Sequence, residues 1–339
     1  MWGGGDLDAA RAVDRIPLWP PLTPSHSISP VRRLRRLRRL RPRAAAIALT
    51  LGAAGCVLSS DQGPFPAPLA PGQALAYVSQ GASNRDDIFL LSADAKQDTN
   101  LTNSITYDSW PAWSPDGVRM AFESDRANQR TTEVYVLSLN GVTPLARLTN
   151  DSTHQSAQPA WSPLGNRIAF VSGDTAAGFD IYLMDPDGKN RTRLTTGARN
   201  NVEPSWKPDG SRLAFASDRT GNAEIFVMDT SGANAVNVTN NSLSDLAPAW
   251  SPDGQKIAFM SNRSVDFAVW VMNPDGSNPT RISSSVPPCE LPQWTKDGKR
   301  LGFDCGADIY LANADGTGLT RITRTEERQR SEVMVRWRP

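Results

Sequence analysis

One stretch recurs along this chain, and its spacing constrains the fold more than any other feature. In the copy PAWSPDGVRMAF, an apolar run ends at Trp113, a Pro-Asp-Gly turn follows, and a second apolar run begins. The tryptophans of successive copies are 48, 45, 44, 44 and 43 residues apart: Trp113, Trp161, Trp206, Trp250, Trp294 and Trp337. A regular period of this size indicates a repeat architecture.

The turn in each copy has the chemistry of a hairpin. It reads SPDG from Ser114, SPLG from Ser162, KPDG from Lys207, SPDG from Ser251 and TKDG from Thr295. Proline presets φ at the second position, and glycine tolerates the left-handed conformation that closes the turn. Leu164 and Lys296 are the departures from this pattern. Each copy therefore predicts two antiparallel strands joined by a short turn.

Each repeat contains four short strand signals. In the third repeat they cover residues 159–162, 167–172, 180–185 and 193–195. Four strands at this period predict one blade of a β-propeller. The second and third strands are apolar on both faces, as in IAF from Ile257 and VWVM from Val269, which indicates burial between neighbouring blades. A buried helix is disfavoured by the shortness and the β-branched content of these runs.

The two ends of the repeat region complement each other. Residues 74–102 supply three strands without a tryptophan strand, and residues 331–339 supply a tryptophan strand with nothing after it. We therefore predict an all-β, six-bladed β-propeller of four-stranded blades, closed by the C-terminal strand joining the N-terminal blade. The predicted blades cover 74–102 with 331–339, 108–149, 156–195, 201–239, 245–283 and 289–323.

The repeat motif resembles that of a known family. The pattern xPxWSPDGxxIAF, followed by SDR, IYVMD and DGxN-xxLT, resembles the WD40-like repeats of TolB-like β-propellers over residues 74–339. The resemblance implies the propeller fold. Members of the TolB family have an α/β domain before the propeller, through which they engage their partners. Between the predicted leader and residue 74 this sequence has only a short proline-rich stretch, so we expect the propeller without that domain.

The N-terminal segments predict secretion and lipidation. The basic run RRLRRLRRLRPR (32–43) leads into AAAIALTLGAAG (44–55) and then Cys56, which is the order of a signal peptide. This junction resembles the lipobox of bacterial lipoproteins, so we expect Cys56 to be lipidated and residues 56–73 to form a proline-rich tether. The alternatives are an ordinary secretory cleavage site or a nucleic-acid or nuclear-targeting patch. Residues 1–30 precede the basic run, and our hypothesis is that translation starts at Val31.

Charge and composition exclude several functions. Residues 1–55 hold ten Arg and three Asp, which leaves 26 basic and 32 acidic residues for the rest. A mildly acidic domain argues against nucleic acid as a partner. His26 and His154 are the only histidines, so a histidine metal cluster is excluded, and no G-x-S-x-G motif occurs. The DPDG turn at Asp185 lacks the twelfth-position Glu of a calcium loop. We expect no cofactor, no metal, no catalytic residue and a monomeric propeller.

Two cysteines are candidates for a disulfide. Cys289 and Cys305 each lie eight residues from Asp297, at the centre of a predicted hairpin turn, so they are cross-strand neighbours. A disulfide is plausible outside the cytoplasm. The alternative is two buried free thiols.

The first strand of each blade lines the channel of a propeller, so the residues before each tryptophan are candidates for one mouth of the channel. These candidate binding residues are Asp108, Trp110, Gln158, Asn201, Glu203, Asp245, Glu290 and Glu332. Several acids at one opening could hold a cation or a basic partner segment. The alternative is a solvated rim. Loop arginines on the same face, Arg126, Arg219 and Arg263, are further candidates, unless they pair with neighbouring acids.

The sequence favours a non-catalytic, membrane-tethered, extracytoplasmic propeller of the bacterial cell envelope. Its expected partner is an envelope protein or polymer. The alternative is an extracytoplasmic carbohydrate- or peptide-acting enzyme, or a sugar-binding protein, that uses the acidic mouth. One propeller scaffold serves many tasks, so the fold does not decide between these functions.

Overall fold

In the part of the chain that the structure describes, twenty-four β-strands, numbered in chain order, form six four-stranded sheets. The computed structural model describes residues 75–81, 83, 85–91, 98–139, 145–174, 176–197, 200–264, 266–283, 288–306, 308–323 and 332–338. The leader, Cys56 and the tether lie outside these ranges. Within every sheet, neighbouring strands run antiparallel.

Blade 1 combines strands from both ends of the chain, whereas blades 2 and 3 each contain four consecutive strands. Blade 1 has the order β24-β1-β2-β3, from Glu332–Trp337, Leu75–Gln80, Asp86–Leu91 and Asp98–Asn100. Blade 2 contains β4 to β7, at Asp108–Trp113, Arg119–Ser124, Glu133–Ser138 and Leu145–Arg147. Blade 3 contains β8 to β11, at Gln155–Trp161, Ile168–Asp174, Gly178–Met184 and Thr192–Arg193.

The other three blades repeat this order. Blade 4 contains β12 to β15, at Asn201–Trp206, Arg212–Ser217, Glu224–Asp229 and Val236–Asn237. Blade 5 contains β16 to β19, at Asp245–Trp250, Ile257–Ser264, Asp266–Met272 and Thr280–Arg281. Blade 6 contains β20 to β23, at Cys289–Trp294, Arg300–Cys305, Asp308–Asn313 and Thr320–Arg321.

The last strand of the chain completes the first blade. β24 pairs with β1 in antiparallel register, Leu75 opposite Trp337 and Ser79 opposite Glu332. The predicted six-bladed ring and its closure by the C-terminal strand are thereby confirmed. Closure removes the open edges that an unpaired β1 would expose.

The core lies between the blades and is built from one repeated position. The second strand of every blade contributes a buried aromatic side chain: Tyr77, Phe122, Phe170, Phe215, Phe259 and Phe303. The apolar clusters around them join adjacent blades, since Trp161 of blade 3 packs with Val134 of blade 2. Burying one such aromatic side chain contributes about 2 to 3 kcal/mol, so the repeat distributes the stability around the ring.

The outer strands are only two or three residues long, and a repeated hydrogen-bond motif holds them in place. In blade 2, Thr149 Oγ1 accepts the amide of Val134 at 2.8 Å and donates to the Glu133 carboxylate. Arg147 adds an ion pair to Glu133. The equivalent hydroxyls of Thr195 in blade 3 and Thr323 in blade 6 accept the same strand amide. The Arg-x-Thr pattern of the fourth strand is therefore part of the scaffold.

Candidate binding site in the propeller channel

Each inner strand of blades 2 to 6 contains a β-bulge, which distorts it where it lines the channel. The ladder register shifts between Ser109 and Ala112 in blade 2 and at the equivalent place in the other four. The bulged residues have positive φ between 50° and 58°: Trp110, Gln158, Glu203, Ala247 and Leu291. Each stands before a proline, which has no amide to donate and is tolerated at a bulge.

Three bulges are linked by a belt of hydrogen bonds from blade to blade. The amide of Gln158 donates to Glu123 Oε2 at 2.9 Å, and the amide of Glu203 donates to Gln158 Oε1 at 2.8 Å. The amide of Ala247 then donates to Glu203 Oε2 at 2.7 Å. The belt stops in blade 5 because Ala247 has no polar side chain to offer the next bulge. It fixes the relative position of the inner strands of blades 3, 4 and 5 and of the second strand of blade 2.

The bulged side chains meet in the middle of the channel. Trp110 of blade 2, Ala247 of blade 5 and Leu291 of blade 6 belong to one apolar cluster, although their blades are not all neighbours in the ring. Arg336 of blade 1 lies over the Trp110 ring, with its guanidinium carbon 5.9 Å from the ring centroid. Apolar side chains therefore occupy the channel at the level of the bulges.

Three carboxyl groups at this level are buried at a high energetic cost. Burial raises the pKa of Glu123 and Glu203 to about 7, although each accepts a backbone hydrogen bond that lowers it. Burial, assisted by the charge of Glu203, also raises the pKa of Glu290 to about 7. Burial lowers the pKa of Arg336 to about 10, against the opposing effects of Asp304 and Glu203. Glu203 thus interacts electrostatically with Glu290 and Arg336, which lie on other blades.

A cavity of about 400 Å³ opens at the end where the inner strands finish. Its wall includes the six repeat tryptophans (113, 161, 206, 250, 294 and 337) together with prolines of the repeat. Deeper in the channel it reaches Trp110, Glu203, Ala247, Leu291 and Arg336. We call this cavity the tryptophan funnel. Glu203 and Arg336 are the charged residues among those that line it.

Around the funnel, tryptophans whose indole N–H bonds to a neighbouring blade alternate with tryptophans whose indole N–H does not. Trp206 Nε1 donates to the carbonyl of Ala160 at 3.0 Å, and Trp294 Nε1 donates to the carbonyl of Ala249 at 3.0 Å. Each of these bonds joins a blade to the one before it. By contrast, the buried Trp250 Nε1 has no hydrogen-bond partner among the described residues. Trp113 Nε1 likewise donates to the carbonyl of Arg336 in blade 1 at 3.3 Å, so three of the six repeat tryptophans bond to a neighbouring blade.

At the opposite end of the channel, the residues predicted to form an open acidic mouth are buried in pairs. Arg126 Nη2 donates to both carboxylate oxygens of Asp108 at 2.8 Å, and Asp108 is fully buried. Arg263 Nη2 contacts Asp245 Oδ2 at 2.7 Å. Burial raises the pKa of Asp108 more than Arg126 lowers it. This geometry matches the alternative reading, in which the arginines pair with neighbouring acids, and differs from an accessible ring.

Blade 4 has the same arrangement with an amide in place of the acid. Arg219 Nη2 donates to Asn201 Oδ1 at 2.6 Å, and Asn201 is fully buried. The guanidinium carbon of Arg219 also lies 4.7 Å from the centroid of the Phe226 ring. Such stacking adds a cation–π contribution to the hydrogen bond. Arg126, Arg219 and Arg263 therefore close their blades instead of extending from the surface.

In blade 6 a disulfide takes this position. Cys289 pairs in register with Cys305, as Asp108 pairs with Ser124 in blade 2, and the two Sγ atoms are 2.09 Å apart. The covalent bond joins the same two strands that the Asp, Ser and Arg side chains join elsewhere.

Other predicted residues contribute less to the geometry. Glu332 pairs with Ser79 through the backbone at the start of β24, but its side chain lies outside the described part, as does Cys56. His154 is bonded to Asp151 through Nδ1 at 3.0 Å in a surface turn. The described residues contain no group of three or more His, Cys, Asp or Glu placed for a metal ion. Across the same ranges, no helix has the length and hydrophobicity for a membrane crossing.

A second groove of about 420 Å³ lies beside the funnel, between blades 3 and 4. It shares Ser162 and Trp206 with the funnel. Leu164 replaces the usual turn aspartate and is 63% exposed at this groove. Its side chain lies so close to Gly210 of the next blade that a Cβ at position 210 would clash with it. The departure SPLG in the sequence coincides with this groove.

Comparisons with known proteins agree with this geometry. Residues 128–245 match the family model described as the TolB beta propeller domain. TolB from Acinetobacter baumannii has 21% sequence identity and a TM-score of 0.68; the alignment covers 78% of this chain and 66% of that one. A putative TolB from Agrobacterium tumefaciens has 19% identity and a TM-score of 0.61, with 79% and 98% covered.

An enzyme has a similar fold at lower identity. Oligogalacturonate lyase from Vibrio parahaemolyticus has 13% identity and a TM-score of 0.56, and the alignment covers 77% of each chain. No curated protein sequence matches this chain significantly. At these identities the solved structures show the fold alone. Residues 128–245 thus match the model of the TolB β-propeller domain, and the six-bladed ring as a whole shares the fold of the TolB propellers.

Proposed function

We propose that this protein is a non-catalytic interaction module of the bacterial cell envelope, which binds a protein or polymer through the tryptophan funnel. The observation that carries the proposal is the funnel itself, an open cavity of about 400 Å³ with an aromatic and proline-rich wall. The wall also includes polar side chains such as Gln158, Ser205 and Gln293, and binding pockets of this size typically use such groups to orient a ligand. The propeller is monomeric in this proposal, since one ring forms the whole funnel.

Tethering is the second part of the proposal. Basic residues 32–43, apolar residues 44–55 and Cys56 support export followed by lipidation, and residues 56–73 provide a spacer of about 50 Å when extended. An extracytoplasmic location fits the likeness to TolB. Replacement of Cys56 by Ser is expected to move the protein from the membrane fraction to the soluble fraction. Retention of the variant in washed membranes would contradict lipid anchoring.

The charged groups of the channel support a binding role over catalysis. Glu123 and Glu203 accept backbone amides within the belt, so their carboxylates are occupied in holding blades together. Asp108 and Asp245, on which the enzymatic alternative depended, are fully buried beside arginines. A hydrolase or lyase needs an acid or base within reach of its substrate.

The test compares two substitutions at opposite ends of the channel. Gln293→Arg places bulk and charge in the funnel, whereas Ala127→Arg places the same side chain on an exposed loop at the other end. After chemical cross-linking in envelope fractions, Gln293→Arg is expected to lose at least tenfold of the captured partner, and Ala127→Arg to retain it, with equal melting temperatures. Equal capture by both variants would exclude the funnel. Turnover of a glycan or peptide panel that Glu290→Gln abolishes would favour the enzyme.

A further inference from the structure

The polypeptide enters the ring at the funnel. β1 begins at Leu75, which lies opposite Trp337, a residue of the funnel wall. Because β1 and β24 are antiparallel, the start of β1 and the end of β24 are at the same end of the channel. The residues just before Leu75 are therefore attached at the rim of the funnel.

The sequence at this point of attachment is uncharged and rich in proline. Residues 62–74 read QGPFPAPLAPGQA, with four prolines and no Asp, Glu, Lys or Arg. Phe65 and Leu69 are its large apolar side chains. Proline at this density favours the polyproline II conformation, which loses little entropy on binding.

The lining of the funnel has the complementary chemistry. Proline-rich segments dock into grooves lined by aromatic side chains, and here six tryptophans surround one cavity. The two charged lining residues, Glu203 and Arg336, have opposite signs and interact with each other. An uncharged segment therefore enters the funnel without leaving an ionic group unpaired.

The length of this segment and its effective concentration near the funnel also favour it as the occupant of the funnel. At about 3.1 Å per residue, the ten residues from Phe65 to Ala74 extend roughly 30 Å, which is ample for a return into a cavity at the point of attachment. A short linker of this kind gives an effective concentration on the order of millimolar. An intramolecular contact with a Kd below about 1 mM is then more than half formed.

We propose that residues 64–71 dock in the tryptophan funnel of their own chain, with Phe65 inserted among the tryptophans, and that a partner must displace them to bind. This inference rests on the proposed function only in taking the funnel as the docking face. It makes the tether a built-in competitor as well as a spacer.

The first test uses a fluorescein-labelled peptide of residues 62–74 as a probe. In the full chain, Phe65→Ser/Leu69→Ser removes the apolar side chains of the segment. The peptide is expected to bind this variant at least tenfold more tightly than the wild type, because the intramolecular competitor is lost. The matched control Val57→Ser/Leu58→Ser removes two apolar side chains of the tether outside the segment and is expected to behave as the wild type.

The second test uses cross-linking within the full chain. A cysteine pair Phe65→Cys/Gln293→Cys is expected to form an intramolecular disulfide, identified by peptide mass spectrometry, and Phe65→Cys/Ala127→Cys is not. A disulfide between two chains from the first pair would overturn docking in cis and indicate exchange between copies.

The outcomes separate this inference from the proposed function. Equal, tight binding of the peptide to the wild type and to Phe65→Ser/Leu69→Ser would overturn intramolecular docking and leave the funnel as a binding face. Absence of peptide binding to either protein, with no cross-link, would also overturn it. In that case the amount of partner that Gln293→Arg captures in the envelope cross-linking experiment still tests the proposed function independently.

Discussion

The two ends of the propeller channel are built from the same six inner strands but differ in access. Where the strands begin, Asp108 and Asp245 are fully buried beside arginines, and Cys289 is bonded to Cys305. Where the strands end, the repeat tryptophans surround an open cavity. The charged residues that look functional in the sequence therefore stabilise the blades. The repeat tryptophans line this open cavity while they remain mostly buried, with Trp113, Trp161, Trp250 and Trp294 each 7 to 8% exposed.

The closed end also shows that one position tolerates different chemistry when the geometry is kept. Blade 2 uses Asp108 with Arg126, blade 4 uses Asn201 with Arg219, and blade 6 uses a disulfide. Each solution joins the inner strand to the second strand at the same register. The common requirement is a cross-link between the start of the inner strand and the end of the second strand.

The largest effect on the free energy of unfolding is expected from removing the Asp108–Arg126 ion pair, at the end of the channel where the inner strands begin. Asp108→Ala leaves Arg126, whose side chain is 20% exposed, without its buried partner, and should lower the free energy of unfolding by about 3 to 5 kcal/mol. Asp108→Asn copies blade 4 and keeps an acceptor for the arginine, so its loss should be about 1 to 2 kcal/mol. Urea denaturation of both variants measures the difference. Equal losses would mean that the charge, not the hydrogen bond, closes the blade.

An intermediate effect on the free energy of unfolding is expected at Glu290, which lies at the level of the bulges, between the two ends of the channel. The pKa of Glu290 is raised from 4.5 to about 7 in the folded protein, so the folded state binds more protons than the unfolded state between these values. The contribution of Glu290 to the free energy of unfolding is fully present below pH 4.5 and is lost as the pH rises through 7. Glu290→Gln should therefore be more stable than wild type by about 1 to 2 kcal/mol at pH 8.

The same comparison at low pH serves as its control. At pH 4.5 the wild-type Glu290 carboxyl is protonated in the folded state, and the gain from Glu290→Gln should disappear. Thermal unfolding across pH 4.5 to 8 tests this dependence. Parallel stability curves for the two proteins would show that Glu290 ionises as readily in the folded as in the unfolded chain.

The smallest effect is expected in the funnel wall, where two tryptophans differ only in their hydrogen bonding. Trp294→Phe removes the bond to the Ala249 carbonyl, whereas Trp250→Phe removes an indole N–H that has no partner in the described structure. Both lose similar apolar area, so the difference between them should be about 1 kcal/mol in favour of Trp250→Phe. Chemical denaturation resolves a difference of this size. Identical stabilities would exclude the indole as a tie between blades.

The fold was predictable because it is encoded in a periodic pattern. The spacing of the tryptophans set the number of blades, and the incomplete units at 74–102 and 331–339 predicted the shared blade, which β24 and β1 form. The first strand of the third blade was predicted less accurately, since β8 begins at Gln155 whereas the predicted strand began at residue 159. The bulge at Gln158 interrupts the alternation of side chains on which such predictions depend.

The site was harder to predict because it depends on contacts between blades. Asp108 and Glu203 are both acidic residues just before a repeat tryptophan, yet one is paired within its blade and the other bonds the next blade. Register between strands of one hairpin can be inferred from sequence, but the belt through Gln158 depends on the twist and position of separate sheets. The positive φ of the bulged residues has no glycine to signal it.

The pairing of the last strand with the first has a consequence for how the protein is made. Ser79 and Glu332 are 253 residues apart, and closing a loop of this length costs about 5 kcal/mol in chain entropy. Because synthesis proceeds from the N-terminus, β1 is complete long before β24 exists, and blades 2 to 6 are available to fold first. The first blade to be synthesised is therefore the last to be completed, and the ring closes only after β24 has been synthesised.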